Sequence, residues 1–162
     1  MYSGSSGFDG VVDVGLIVIA HFENPACTYA HDFLREVLGL KRRCIVPLST
    51  YIGAHVILTK YLKLPRIEVT KALVTTLSLD SPAFFGDMSR TTAIGALERA
   101  DEFKISSWDG YLLELARRMN LMRVYTIDEE LKRRVHHLEV INPIPAEVMQ
   151  DYHAYVASRI TR

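Results

Sequence analysis

The stretch Gly10-Val11-Val12-Asp13-Val14-Gly15-Leu16-Ile17-Val18-Ile19-Ala20 is apolar almost throughout and carries a single carboxylate. Such a run suits a strand over 10–14 covered on both faces, followed by a short buried helix. Doubly covered strands belong to parallel sheets, whose crossover helices pack on either side. The fold class therefore follows from whether strands and helices alternate through the rest of the chain.

They do. Asn24-Pro25 has the chemistry of a helix start, with Asn at the cap and Pro in the first turn. Ala30, Phe33, Leu34, Val37 and Leu38 follow at i, i+3, i+4, i+7 and i+8, one apolar face, and Gly39 stops the helix. Lys41-Arg42-Arg43 leads into a short strand, Cys44-Ile45-Val46-Pro47. Ser49 or Thr50 can cap a helix to about Leu62, and Pro65 opens another to about Leu77. These two are expected to form a paired-helix arm beside the sheet. A strand is expected within 82–88, helices over 90–103 and 108–119, and a strand over 121–126. A short helix over 128–135, a strand over 138–141 ended by Asn142-Pro143, and a C-terminal helix from Pro145 complete the pattern. Alternation of this kind implies right-handed crossovers and an α/β fold on a mostly parallel sheet. The expected organisation is a flexible lead-in over 1–7, one domain over 8–143, and a helical extension of it over 144–162.

Composition agrees with a single globular domain. The 162 residues are 49% apolar and 23% charged. Lys+Arg and Asp+Glu both number 19, so no global field selects a nucleic acid or a membrane. Cys27 and Cys44 form no CxxC pair and read as reduced, part-buried thiols of a cytoplasmic protein. No run of 18 apolar residues predicts a membrane span, and the opening MYSGSSG lacks the character of a signal peptide.

In open parallel sheets, sites lie beyond the carboxyl ends of the strands. Asp13, Asp109 and Asp128 are all expected there or at an adjoining helix start. Asp109 also fits a capping box with Ser106, and Asp128 also fits a helix N-cap. Asp13, read as part of an apolar strand, has no capping role, and an unpaired carboxylate there costs several kcal/mol. Clustered carboxylates repel one another, and a hard divalent cation relieves the repulsion. Such an ion can orient water and polarise a phosphodiester.

These segments resemble the PIN-domain metal-dependent ribonucleases, which include toxins of many toxin–antitoxin pairs. Val12-Asp13-Val14-Gly15-Leu16-Ile17 is similar to the family's opening strand with its first acid. Cys44-Ile45-Val46-Pro47 is similar to its second strand. Trp108-Asp109-Gly110-Tyr111-Leu112-Leu113-Glu114-Leu115-Ala116 is similar to the helix bearing its third acid. Tyr125-Thr126-Ile127-Asp128-Glu129-Glu130-Leu131 is similar to its Thr-x-Asp segment, and Val140-Ile141-Asn142-Pro143 to its closing strand. The resemblance spans about Val11 to Pro143. It implies a three-layer α/β/α sandwich and an Mg²⁺- or Mn²⁺-dependent endoribonuclease. Asp13, Asp109 and Asp128 would be metal ligands and catalytic residues, with Thr126 hydrogen-bonding the site. The implied partners are an RNA substrate and an antitoxin protein. Two positions depart from the family: Gly15 stands where Asn is usual, and the usual Glu of the helix after the second strand, due near Gly53, is missing. The alternative is a degenerate, non-catalytic module that binds protein or RNA.

Other motifs carry less. Lys41-Arg42-Arg43, Arg117-Arg118 and Lys132-Arg133-Arg134 are candidate phosphate contacts near the acids. His136-His137 reads as surface histidines, since strand neighbours point to opposite faces. No Walker loop, GxGxxG or Gly-x-Ser-x-Gly is present, which argues against a nucleotide-binding enzyme or serine hydrolase. A phospho-acceptor receiver needs a mid-chain strand ending in Asp, whereas Val46-Pro47-Leu48 ends the strand here. Tyr51, Ile52, Val56, Ile57, Leu58, Tyr61 and Leu62 are more apolar than one buried stripe requires, so a homodimer through these helices is expected.

Overall fold

A computed structural model describes residues 7–86 and 88–160. The expected lead-in therefore lies outside the described residues except for Gly7. Strand β1 (Gly10–Val12) is shorter than expected, because the chain turns at Asp13 directly into helix α1 (Val14–Ala20). Helix α2 (Cys27–Leu38) begins later than Asn24-Pro25 suggested. The Asn24 side chain is already engaged: its amide donates to the carbonyls of Ile19 and Phe22, and its oxygen accepts from the Ala26 N–H. It closes a turn after α1 instead of capping α2.

Strand β2 (Cys44–Pro47) leads into α3 (Ser49–Val56), which runs on through a π-helical turn, Ile57–Tyr61. Neither Ser49 nor Thr50 caps α3. The Thr50 hydroxyl donates back to the Pro47 carbonyl at 2.6 Å, and Leu48 takes the cap position. Helix α4 (Arg66–Leu77), strand β3 (Phe84–Phe85), helices α5 (Arg90–Phe103) and α6 (Ser107–Met119), and strand β4 (Arg123–Tyr125) follow. Helix α7 (Glu129–Arg134), strand β5 (Glu139–Ile141) and helix α8 (Ala146–Ile160) complete the chain as described.

All strand pairs are parallel, in the order β3-β2-β1-β4-β5. The chain moves outward from β1 through β2 to β3, then crosses back to place β4 on the other side of β1. Strand order therefore reverses between β1 and β4. Alternation along the strands divides the core into two layers. Val12, Cys44, Val46 and Tyr125 face α1 to α4 and α8, with Leu16, Phe33, Tyr51 and Met149. Val11, Ile45 and Val124 face the other side, with Ala96, Leu112, Leu115 and Leu131. This is the three-layer α/β/α sandwich. No helix among the described residues is long and apolar enough to cross a membrane.

Two glycines let helices α5 and α6 approach closely. A Cβ on Gly110 would lie 2.1 Å from the Ala96 carbonyl oxygen. A Cβ on Gly95 would lie 2.4 Å from the Glu114 carboxyl carbon, so Gly95 makes room for a charged group inside the second core. Glu114 is 1% exposed. Its Oε1 accepts from Arg117 at 2.8 Å and from Arg118 at 2.7 Å, and its Oε2 accepts from Arg117 Nε at 3.0 Å. These bonds, Arg117 foremost, hold the carboxyl down to about 2.

Two outcomes are expected. Gly110→Ala should destabilise the fold by about 1–3 kcal/mol through overpacking, outweighing the roughly 1 kcal/mol of helix propensity that alanine adds. Urea unfolding measures the difference. Glu114→Gln should remove about 2 kcal/mol near pH 7, since hydrogen bonds to charged groups contribute about 1.5–3 kcal/mol. Because the folded-state value is depressed, this stabilisation is present above the unfolded value of 4.5 and is lost as pH falls towards about 2. Stability curves of wild type and variant should therefore converge over that interval.

Candidate functional site

The carboxyl ends of β1 and β4 flank the point where strand order reverses, which is where open α/β sheets place their sites. Asp13 leaves β1 there. Its backbone N–H donates to the Tyr125 carbonyl at 2.9 Å, extending the ladder by one residue. Its side chain is 5% exposed. Oδ1 accepts from the Val14 N–H at 2.6 Å and from the Trp108 indole N–H at 3.1 Å. Oδ2 accepts from the Thr126 hydroxyl at 2.6 Å. Asp13 is thus the N-cap of α1, a correction to the expectation that it has no capping role. The strand ends one residue earlier than its hydrophobicity implied, and the following N–H needs an acceptor. Burial pushes the Asp13 carboxyl above its ordinary value. The bonds from Thr126, Val14 and Trp108 oppose that shift, and the Asp128 charge adds to it.

Asp109 lies in the first turn of α6 and is 8% exposed. It forms one half of the expected capping box: Ser106 Oγ accepts from the Asp109 N–H at 3.1 Å but donates to Asp109 Oδ2 at 2.8 Å, so the carboxylate meets the Ser106 hydroxyl in place of its backbone N–H. Burial, then the charges of Asp13 and Asp128, push its carboxyl up to about 6 against the Ser106 bond. Asp128 is the expected N-cap of α7, with Oδ1 accepting from the N–H groups of Glu130 at 2.8 Å and Leu131 at 3.3 Å.

Two residues link the acids. Thr126, 1% exposed, donates to Asp13 Oδ2 and accepts from the Asp128 N–H at 3.0 Å. Trp108 reaches from beside Asp109 to Asp13 Oδ1. Asp13 and Asp128 each use an oxygen to cap a helix and Asp109 Oδ2 accepts from the Ser106 hydroxyl, while Asp109 Oδ1 and Asp128 Oδ2 accept no hydrogen bond among the described residues. An all-carboxylate oxygen set suits Mg²⁺ or Mn²⁺. Among the described residues no three His, Cys, Asp or Glu side chains are grouped closely enough to hold a metal ion. The oxygen donors suit such an ion by type, and their grouping among the described residues does not by itself form a site for it.

Gly15 and Gly53 each have a close neighbour. A Cβ at Gly15 would lie 2.8 Å from Ile127 Cγ1, so an Asn there requires Ile127 to move. A Cβ at Gly53 would meet Val14 Cγ2 at 3.3 Å, which places this α3 position against the residue after Asp13. His55 lies elsewhere on α3 and contacts Thr70.

Most arginines of the basic runs are paired with glutamates. Arg42 bonds Glu36, Arg117 and Arg118 bond Glu114, and Arg133 and Arg134 bond Glu130. Lys41-Arg42-Arg43 precedes β2 and so sits at the amino ends of the strands, away from the acids. His136 and His137 are exposed, and the His137 ring stacks on Phe103. Sequence reading missed Trp108, whose bond to Asp13 spans 95 residues. Its only sequence signal was its place beside Asp109.

No family model matches the chain, and no curated protein matches it by sequence. Solved structures do match its fold. VapC20 of Mycobacterium tuberculosis, a toxin that cleaves the sarcin–ricin loop, is 14% identical with a TM-score of 0.57, covering 77% of this chain and 94% of its own. A toxin–antitoxin complex from Klebsiella pneumoniae is 16% identical with a TM-score of 0.55, covering 83% and 98%. PAE2754 from Pyrobaculum aerophilum is 14% identical with a TM-score of 0.56, covering 98% and 100%. The chain has the fold of the VapC toxins, the PIN-type sandwich that its motifs resemble.

Proposed function

We propose that the protein is an endoribonuclease dependent on Mg²⁺ or Mn²⁺ and the toxin component of a toxin–antitoxin pair. The observation that carries the reading is Asp13: a buried carboxylate at the switch point, tied to Thr126 and Trp108 and within electrostatic reach of Asp109 and Asp128. A buried carboxylate with raised proton affinity, beside two more, is the arrangement that a bound cation relieves.

Asp13, Asp109 and Asp128 would hold the ion, which supplies Lewis acidity towards a phosphodiester and positions water. Thr126 holds Asp13 through Oδ2 and fixes the turn into Asp128, so one hydroxyl sets the relation between two acids. The low exposure of Asp13 and Asp109 limits water around them and strengthens their interaction with a cation. The fold neighbour that cleaves the sarcin–ricin loop supports RNA as substrate, and the toxin–antitoxin complex supports a protein antitoxin as partner.

The second reading is a non-catalytic module. The missing acid at Gly53 and the lack of a close three-carboxylate group among the described residues favour it.

Asp13→Asn separates the two. It keeps the side-chain shape and removes the charge. It should abolish Mn²⁺-dependent RNA cleavage, and because its amide nitrogen cannot accept from the donors that Asp13 holds, the metal-free Tm reads how far the loss of an acceptor outweighs the relief of charge. Wild type, and not the variant, should gain about 2.7 kcal/mol when Mn²⁺ is a hundredfold above its Kd. If wild type neither cleaves RNA nor is stabilised by Mn²⁺, the non-catalytic reading holds. Normal cleavage by the variant refutes the assignment of Asp13.

We also propose a homodimer through the helices between Thr50 and Leu77. Tyr51, Leu58 and Leu62 turn into the core, whereas Ile52 is 70% exposed, Tyr61 60% and Ile67 84%. Contiguous exposed apolar groups mark interaction surfaces. Ile52→Glu should shift the sedimentation coefficient from dimer to monomer while leaving the far-UV spectrum unchanged. A wild-type monomer at high micromolar concentration would count against the interface.

A further inference from the structure

Trp108 is the only tryptophan of the chain and is half-buried beside the acids Asp109 and Asp13. An indole in a core is normally enclosed, and one on a surface is normally unconstrained. Trp108 is neither. Its N–H is held at 3.1 Å by Asp13 Oδ1, an acid of the candidate site, and the buried Tyr111 ring packs beside it at 6.0 Å and 54°. One edge is therefore anchored at the acids while part of the ring remains open to solvent. Single-stranded RNA is bound largely through bases stacked on such aromatic surfaces, because every base has a π-face. Of the basic runs, Arg42, Arg117, Arg118, Arg133 and Arg134 are each paired with a glutamate.

We propose that Trp108 is a stacking platform for a nucleobase of single-stranded RNA, holding the chain with a phosphodiester beside Asp13. The proposal rests on the ribonuclease reading for its substrate. In it, the indole N–H sets the ring's orientation and the ring face supplies affinity. Base-stacking by one aromatic side chain corresponds to about a tenfold change in affinity or somewhat more.

The test uses the full chain in Ca²⁺ buffer, with a short single-stranded oligoribonucleotide and an abasic oligomer of equal length and charge. Trp108 emission reports only this site, because the chain has no other tryptophan. The oligoribonucleotide should quench it saturably and the abasic oligomer should not. With a labelled oligoribonucleotide, anisotropy should show Trp108→Leu binding about tenfold more weakly and Trp108→Phe within about twofold of wild type, since Phe keeps a ring and loses only the N–H. Melting curves check that both variants fold, and the quench measurement needs no variant. Unchanged emission on adding the oligoribonucleotide, equal quenching by the abasic oligomer, or tight binding by Trp108→Leu overturns the proposal. So does equal loss in Trp108→Phe and Trp108→Leu, which would assign the effect to the bond with Asp13. Mn²⁺-dependent cleavage that Trp108→Leu leaves intact sinks stacking alone. Saturable, base-dependent quenching without cleavage sinks the ribonuclease reading and leaves stacking standing.

Discussion

The short hydrogen bond from Thr126 to Asp13, 2.6 Å long and almost closed to solvent, joins the two central strands at their carboxyl ends. It crosses the place where strand order reverses, between β1 and β4. An ionised carboxylate buried there without donors would be strongly unfavourable. Three donors on two oxygens make it tolerable, and they come from three parts of the chain: Val14, Trp108 and Thr126. The start of α1, the start of α6 and the turn into α7 are thereby tied to one side chain.

The two cores on either side of the sheet make that arrangement rigid. The β1 residues before Asp13 are fully buried, Val11 in one layer and Val12 in the other. The backbone of Asp13 is held to β4 by its N–H bond to the Tyr125 carbonyl, and its carboxylate by Val14, Trp108 and Thr126. On the far side, the close contact of Gly110 with the Ala96 carbonyl brings α5 and α6 together and fixes where the first turn of α6 sits. Asp109 and Trp108 lie in that turn.

Capping and function coexist in these acids. Asp128 caps a helix through two backbone N–H groups, and Asp109 accepts from the hydroxyl of Ser106, the cap of α6, so both acids have a local structural use. A helix cap engages one carboxylate oxygen and leaves the other available. The same positions place the acids at helix N-termini, where backbone N–H groups favour negative charge. Structural use of a carboxylate is thus no argument against a second use.

Local sequence was sufficient for the α/β class, for α5 at its observed limits, for β2, and for the caps at Ser106 and Asp128, because periodicity, β-branched runs and capping chemistry act over a few residues. It misplaced what depends on which donor or acceptor is free: Asn24 closes a turn, Thr50 bonds Pro47, and Asp13 caps a helix. The strand order, the pairing of the basic runs with glutamates, the clash that Ile127 presents to a side chain at Gly15, and the bond from Trp108 to Asp13 were decided only in three dimensions. They join residues far apart in the chain or depend on side-chain direction. Hydrophobic patterning selects which face of an element is buried, but the partner met on that face is set by packing the whole chain around one sheet.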